Sequence, residues 1–130
     1  MPAPPSRDPF QYALLRVVPR LERGEFLNAG VIVFCRTRRF LQARTNLDRE
    51  RLAVLAPGVD PEPLERHLAW LERVAAGDPA AGPVAALEPS ERFHWLVAPS
   101  STVVQPSPVH TGLCEDPAAL LDRLHATLVG

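Results

Sequence analysis

The segment from Phe26 to Cys35 constrains the fold of this chain more than any other. It is the most apolar and β-branched stretch, and the charged turn residues from Glu22 to Glu25 precede it. A short apolar run that follows a turn signal is typical of a strand buried inside a sheet. We therefore expect a loop that leads into a central strand, and the rest of the chain must supply the neighbours of that strand.

Two further strands are predicted on either side of this segment. Gln11 to Val18 is short and apolar on both faces, and Pro19, which has no N–H to donate to a ladder, closes it. After a polar turn, Phe40 to Thr45 returns as a third strand. Strands joined by short turns pair as an antiparallel meander.

The middle and the end of the chain carry helix signals. Asp48, Asp60 and Asp116 are N-cap residues, and proline follows the last two at the first helical position. Leucines recur at helical spacing after Asp60 and Asp116. Between these helices, Phe93 to Ala98 alternates as a strand does, and Ser100 to Gln105 is predicted to be a short extended segment.

This order predicts an α+β fold, with an antiparallel sheet of about five strands and two or three helices packed on one face. Residues 1–9 contain four prolines and little that is apolar, so we expect a disordered lead-in. Residues 10–130 are expected to form a single α+β domain, because no linker or repeat divides them.

Composition indicates a cytoplasmic protein. No apolar run approaches the roughly 20 residues that a membrane helix needs, and the N-terminus lacks the apolar stretch of a signal peptide. Cys35 and Cys114 are too few for a disulfide framework, so both are expected to be reduced thiols in the core.

Nucleic-acid binding is one hypothesis for function. Six arginines fall within the 16 residues from Arg36 to Arg51, where they could line the edge of a hairpin and follow a phosphate backbone. They are Arg36, Arg38, Arg39, Arg44, Arg49 and Arg51. The net charge of −1 argues against this class, and charge that guards a solvated strand edge explains the same residues.

Catalytic and metal-binding motifs are weak. Ser100, Ser101 and Thr102 could act as nucleophiles with His94 or His110 as the base, but no G-x-S-x-G elbow accompanies them. Cys35, Cys114 and the same two histidines lack the paired spacing of a zinc site. No glycine-rich phosphate loop occurs, so we expect no catalytic residue, metal or cofactor.

Two polar loops, residues 22–30 and 105–112, are the expected working surface, because functional residues concentrate on loops held by a rigid scaffold. The candidate ligand- or partner-binding residues are Arg16, Glu25, Asn28, Gln105, His110 and Thr111. Arg16 lies mid-strand and needs either the rim of the sheet or a carboxylate, for which Glu22 and Glu25 are nearest in sequence.

We interpret these loops as the binding surface of a protein-interaction or regulatory module. The stiff Pro106-Ser107-Pro108 segment suits binding by strand addition. The alternative is a small enzyme or ligand-binding protein that uses Arg16, Glu25, Asn28 and His110 on a polar or phosphorylated substrate. Both hypotheses require the two loops to be neighbours in space.

Two blocks of the sequence resemble a known family. YALLRVVPRLERGEFLNAGVIVFC, which starts at Tyr12, and STVVQPSPVHTGL, from Ser101 to Leu113, are similar to the two signatures of a bacterial family of domains of unknown function, DUF family 3037. The resemblance implies a HipA-like kinase as a partner, since such a kinase is often encoded beside members of the family. Similar sequences commonly carry arginine where this chain has Ser100, which puts a site at that position in doubt.

Overall fold

An antiparallel sheet organises the molecule. The computed structural model describes residues 6–100 and 102–130, and within them the sheet has five strands. These are β1 (Asp8–Val17), β2 (Leu27–Cys35), β3 (Phe40–Thr45), β4 (Val104–Pro106) and β5 (His110–Cys114). The same residues contain four α-helices, so the α+β fold class predicted from the sequence is confirmed. These are α1 (Arg49–Leu55), α2 (Pro61–Ala76), α3 (Pro89–Leu96) and α4 (Pro117–Leu128).

The predicted meander forms one side of the sheet. β3 pairs with β2 and β2 with β1, which gives the order β3-β2-β1. The other side of β1 is shared, since β4 pairs with Leu15 to Val17 and β5 with Asp8 to Tyr12. Two short strands thus occupy opposite ends of one long strand.

Ser107 connects these two strands between Pro106 and Pro108. Its N–H donates to the carbonyl of Leu14 at 2.8 Å, and its hydroxyl oxygen accepts from the N–H of Leu14, also at 2.8 Å. Its hydroxyl replaces the backbone acceptor that a continuous strand would offer to Leu14. Ser107 is also buried, so this N–H would otherwise lack a partner. The junction therefore keeps β4 and β5 on one line despite the prolines.

The helix starts follow the predicted caps. Asp48, Asp60 and Asp116 each accept a hydrogen bond from a backbone N–H of the first helical turn. Gly77 ends α2 with φ of +75°, a conformation that residues with a β-carbon rarely adopt.

Helices cover both faces of the sheet, which differs from the expected packing on one face. Ile32 and Phe34 of β2 belong to the core beneath α2 and α3, whereas Val31 and Val33 belong to a second core. That second core includes Leu120 and Leu121 of α4. Because β2 is apolar at successive positions, its two faces each need a cover, and α4 supplies the second one.

The prediction of a strand at Phe93 to Ala98 is wrong, since most of this segment lies in α3. Phe93 and Leu96 are its buried residues, and their spacing of three is helical. A short apolar run fits either period, and the helix start at Pro89 with Glu91 in the first turn decides between them. The fifth strand is instead His110–Cys114, which we expected to be a loop.

The N-terminal boundary differs slightly from the expected one. β1 begins at Asp8, so the last two residues of the predicted lead-in are in the sheet. Residues 1–5 of that lead-in lie outside the described part of the chain. Among the helices of the described residues, none is both long and apolar enough to cross a membrane.

Candidate functional site

Three of the predicted site residues form one row across the sheet. Arg16 of β1 pairs with Asn28 of β2 on one side and with Gln105 of β4 on the other. Residues paired directly across strands project from the same face. The structure therefore brings the first predicted loop and the start of the second together at the end of the sheet.

Arg16 itself has an aromatic neighbour and no acidic one. Its guanidinium carbon lies 4.3 Å from the centroid of the Phe26 ring. Glu25, one of the two expected partners, instead accepts a hydrogen bond from Arg23 at 2.6 Å. Within the described residues Arg16 forms no ion pair, so of the two expected environments, the rim of the sheet and a loop carboxylate, the carboxylate is absent there.

A β-bulge sets the position of Asn28. Leu15 pairs with Gly30 while Arg16 pairs with Asn28, so Ala29 is the extra residue of β2. Gly30 is needed for close approach, because a β-carbon there would lie 2.9 Å from Cγ2 of Thr45 and 3.2 Å from the carbonyl oxygen of Arg44.

Asn28 ties this end of the sheet to the last helix. Its Nδ2 donates to the carbonyl of Leu128 at 3.2 Å, while its Oδ1 is shielded from solvent and has no donor among the described residues. A cleft of about 610 Å³ lies beside it. The cleft is lined by Phe26, Leu27, Asn28, Glu50, Arg51, Val54, Leu55 and Leu128.

The other two predicted residues lie at the opposite end of β1. His110 pairs with Tyr12 and Thr111 with Gln11, and the rings of His110 and Tyr12 stack at 5.0 Å. Tyr12 and Arg16 are four residues apart in one strand, a separation of about 13 Å. Arg16, Asn28 and His110 therefore do not converge, although the small-enzyme alternative required that they do. The two predicted loops also do not form the single shared surface that both hypotheses required, since only the start of the second loop lies beside the first.

A groove adjoins β5 at this second end. We call it the β5 groove; its volume is about 660 Å³. It is lined by Pro9, Phe10, Gln11, Phe34, Arg36, Thr37, Ser90, His94, Thr111, Gly112 and Leu113. Arg36 is the one lining residue with a permanent charge, and it has no ion-pair partner among the described residues. No carboxylate lines the groove, so its charge favours an acidic occupant.

The outer side of β5 is open within the described residues, because β5 pairs with β1 alone. The strand contains no acidic residue, lysine or arginine, and the Leu113 side chain is 63% exposed. Gly112 holds Phe10 against the backbone of β5, since a β-carbon there would lie 2.7 Å from the ring. Sequence reasoning selected Thr111 here but missed Gln11 and Leu113. An apolar residue exposed in an uncharged strand is the signal that could have found them.

The arginines from 36 to 51 are mostly paired with carboxylates. Only Arg36 lacks an ion pair among the described residues; the pairs are Arg38 with Asp8, Arg39 with Glu88, Arg44 with Asp122, Arg49 with Glu65 and Arg51 with Asp48. The partner carboxylates belong to several different elements. This pairing reduces the positive field that a nucleic-acid backbone needs.

The residues weighed for catalysis or metal binding are dispersed. Cys35 and Cys114 are buried free thiols in the core beneath α4, and burial raises the pKa of the Cys114 thiol. Ser100 bonds its neighbour Thr102 at 2.8 Å, and Ser101 lies outside the described residues. Among the described residues, no three His, Cys, Asp or Glu side chains are grouped as a metal site requires.

Comparison with known proteins gives one match. The family model "Protein of unknown function (DUF3037)" matches residues 12–129, which include β1 from Tyr12 onward, the other four strands and all four helices of the described residues. No curated protein and no solved structure matches the chain. Because the match spans most of the sequence, the chain belongs to the DUF3037 family.

Proposed function

We propose that this protein is a cytoplasmic protein-interaction module that binds an extended, acidic segment of a partner protein on the open edge of β5. The observation that carries the proposal is the combination of an uncharged edge strand with an exposed Leu113 and an adjoining groove. Edge strands present unpaired backbone groups, and strand addition uses those groups for affinity.

The groove defines the chemistry of the bound segment. Side chains of an added strand alternate between the two faces of the sheet, so every second one would point toward the groove. Phe34 and Leu113 favour an apolar side chain there, while Arg36 favours an acidic one. A second copy of this chain fits less well, because its own β5 edge carries no acidic residue that could pair with Arg36.

A HipA-like kinase is the candidate partner, as the resemblance of the two sequence blocks implies. The module would then act as a regulator by holding a segment of that kinase. The geometry of the β5 edge does not by itself identify the partner. The experiment therefore tests the kinase and the β5 edge separately.

The test is binding of the purified protein to a purified HipA-like kinase by calorimetry. We expect association at micromolar concentrations, and we expect Leu113→Asp to weaken it at least tenfold, or about 1.4 kcal/mol, by placing a like charge against the acidic segment. Because Leu113 is exposed, the fold of this variant should be unchanged.

Two controls locate the binding surface. Val54→Asp makes the same change at an aliphatic residue that is 84% exposed on α1, and Gln42→Asp makes it on the opposite edge strand. Both should bind as the wild type does. Failure to associate argues against the kinase, whereas association that Leu113→Asp leaves intact argues against the β5 edge.

A further inference from the structure

Arg16 is one of two arginines that are partly buried; the other is Arg92, and the rest are exposed. Both have an Nε atom that is shielded from solvent and has no acceptor among the described residues. The pair therefore allows a direct comparison between two guanidinium groups in similar surroundings.

Arg92 has an evident structural role. Its Nη1 donates to the carbonyl of Leu87 at 2.7 Å and its Nη2 to the carbonyl of Ala75 at 3.3 Å. Ala75 is in the last turn of α2, where carbonyls lack helical partners and carry partial negative charge. The charge of Arg92 is therefore compensated by backbone oxygen.

Arg16 has no such compensation. None of its nitrogens bonds to a described residue, and its contact with Phe26 uses the face of the guanidinium and leaves its edge free. Of its three nitrogens, Nε is shielded from solvent without an acceptor among the described residues, and stacking on one half-exposed ring recovers only part of the cost of burying that donor. An apolar residue would avoid this cost, while Nη1 and Nη2 of Arg16 stay open to solvent and to a ligand.

The neighbours of Arg16 suit a small anion. Asn28 and Gln105 flank it on the same face and bring no negative charge, and their amide nitrogens donate to the carbonyls of Leu128 and Thr102. The carboxylate of Glu25 is engaged by Arg23. A guanidinium that is oriented by stacking and flanked by amides matches the planar fork geometry with which arginine binds oxyanions.

We propose that Arg16 is the anchor of an oxyanion-binding site at the end of the sheet away from the β5 groove. The ligand is a carboxylate or a phosphate group, bound end-on by Nη1 and Nη2 of Arg16. Asn28 and Gln105 border the site, and Phe26 holds the guanidinium in place. This site is independent of the proposed partner-binding edge.

The experiment measures melting temperature in low-salt buffer with added inorganic phosphate, acetate or chloride at matched ionic strength. Phosphate stabilises many proteins by exclusion from their surface, so the readout is the difference between wild type and Arg16→Met. We expect a ligand at about ten times its Kd to raise the wild-type value by about 5 °C more than that of the variant. If only phosphate gives this extra rise in melting temperature, the ligand is a phosphate group. If acetate gives it, the ligand is a carboxylate.

Three further measurements test the interpretation of this result. Arg20→Met, at an exposed residue of the next turn, should respond as the wild type does. Without added oxyanion, Arg16→Met should melt no lower than the wild type, because a shielded donor without an acceptor among the described residues is removed. In the wild type, the Nε–Hε NMR signal of Arg16 should shift saturably with ligand while that of Arg20 does not. Equal responses of wild type and Arg16→Met, or an unsaturable shift at Arg16, would overturn the proposal.

Discussion

The two edges of the sheet are protected in different ways. On β3, Arg44 pairs with Asp122 of α4, and Glu72 of α2 accepts hydrogen bonds from the N–H and the hydroxyl of Thr45. On β5, the exposed Leu113 lies in a strand without charge, and no described residue covers its outer side. Charge and covering groups are the usual means by which proteins prevent unwanted strand pairing. Their presence on one edge, and their absence from the described residues of the other, is the reason why we propose β5 as the edge for a partner.

The largest effect is expected on the protected edge, with Glu72→Ala. Oε1 of Glu72 is 2.7 Å from the N atom of Thr45 and 2.5 Å from its hydroxyl oxygen. Loss of this charged acceptor should lower the free energy of unfolding by about 2 kcal/mol, as measured by urea denaturation. Faster hydrogen exchange at Thr45 would show that the β3 edge has opened.

A matched control for this prediction is Glu62→Ala, which removes an exposed glutamate from the first turn of the same helix. Its effect should be within about 0.5 kcal/mol of zero. If the two variants lose equal stability, the loss in Glu72→Ala is not caused by removal of the hydrogen bonds between Glu72 and Thr45.

A smaller effect is expected on the open edge, with Gly112→Ala. The new methyl group would lie 2.7 Å from the ring of Phe10, which must move. Because this contact is at the edge of the sheet, the ring can shift, and we expect a loss of about 1 kcal/mol. Hydrogen exchange should rise in β5 and stay unchanged in β3.

Gly30→Ala tests whether the β3 side of the sheet adapts to an added methyl group less well than β5 does. A β-carbon there meets Thr45, the backbone of Arg44 and Leu15 at 2.9 to 3.2 Å, and backbone cannot move aside as a ring can. This variant should lose more stability than Gly112→Ala in the same denaturation assay. The reverse order would contradict the view that β5 is the more adaptable edge.

The smallest effect concerns the rate at which β5 opens. Cys114 lies at the end of β5 and Cys35 at the end of β2, and both are buried. Edge strands open more readily than central ones, so an alkylating reagent should modify Cys114 before Cys35 in the native protein. Mass spectrometry of peptides after timed alkylation measures both rates, and faster modification of Cys35 would contradict the expected order.

The stability of this region should depend on pH through the Cys114 thiol. Burial raises the pKa of Cys114 above that of a free thiol. A group whose pKa is raised on folding contributes stability below its unfolded pKa, and that contribution is lost as the pH rises through the folded value. Stability should therefore decline above about pH 8.5, and Cys114→Ala should remove that part of the decline.

The candidate site residues could be placed only in part from the sequence. Residues 22–30 and 105–112 were predicted to be polar loops, but parts of both lie in β2, β4 and β5, and Ser107 is buried. The row of Arg16, Asn28 and Gln105 brings segments of the two stretches together. His110 and Thr111 were assigned to the same surface because they are close to Gln105 in sequence. The junction at Ser107 instead keeps β5 on one line with β4, and this places them at the far end of β1.

The sequence by itself determined the local structure. Aspartate caps start α1, α2 and α4, Gly77 ends α2, and the meander of the first three strands follows from apolar segments joined by short turns. These features depend on contacts between residues near in sequence, where residue type alone decides the geometry. Only the tertiary structure decided that α4 covers the second face, that β4 and β5 share one edge of β1, and that Arg16 lacks a described acidic partner. Those outcomes depend on segments roughly 90 to 100 residues apart, for which many pairings satisfy the same pattern and packing selects one.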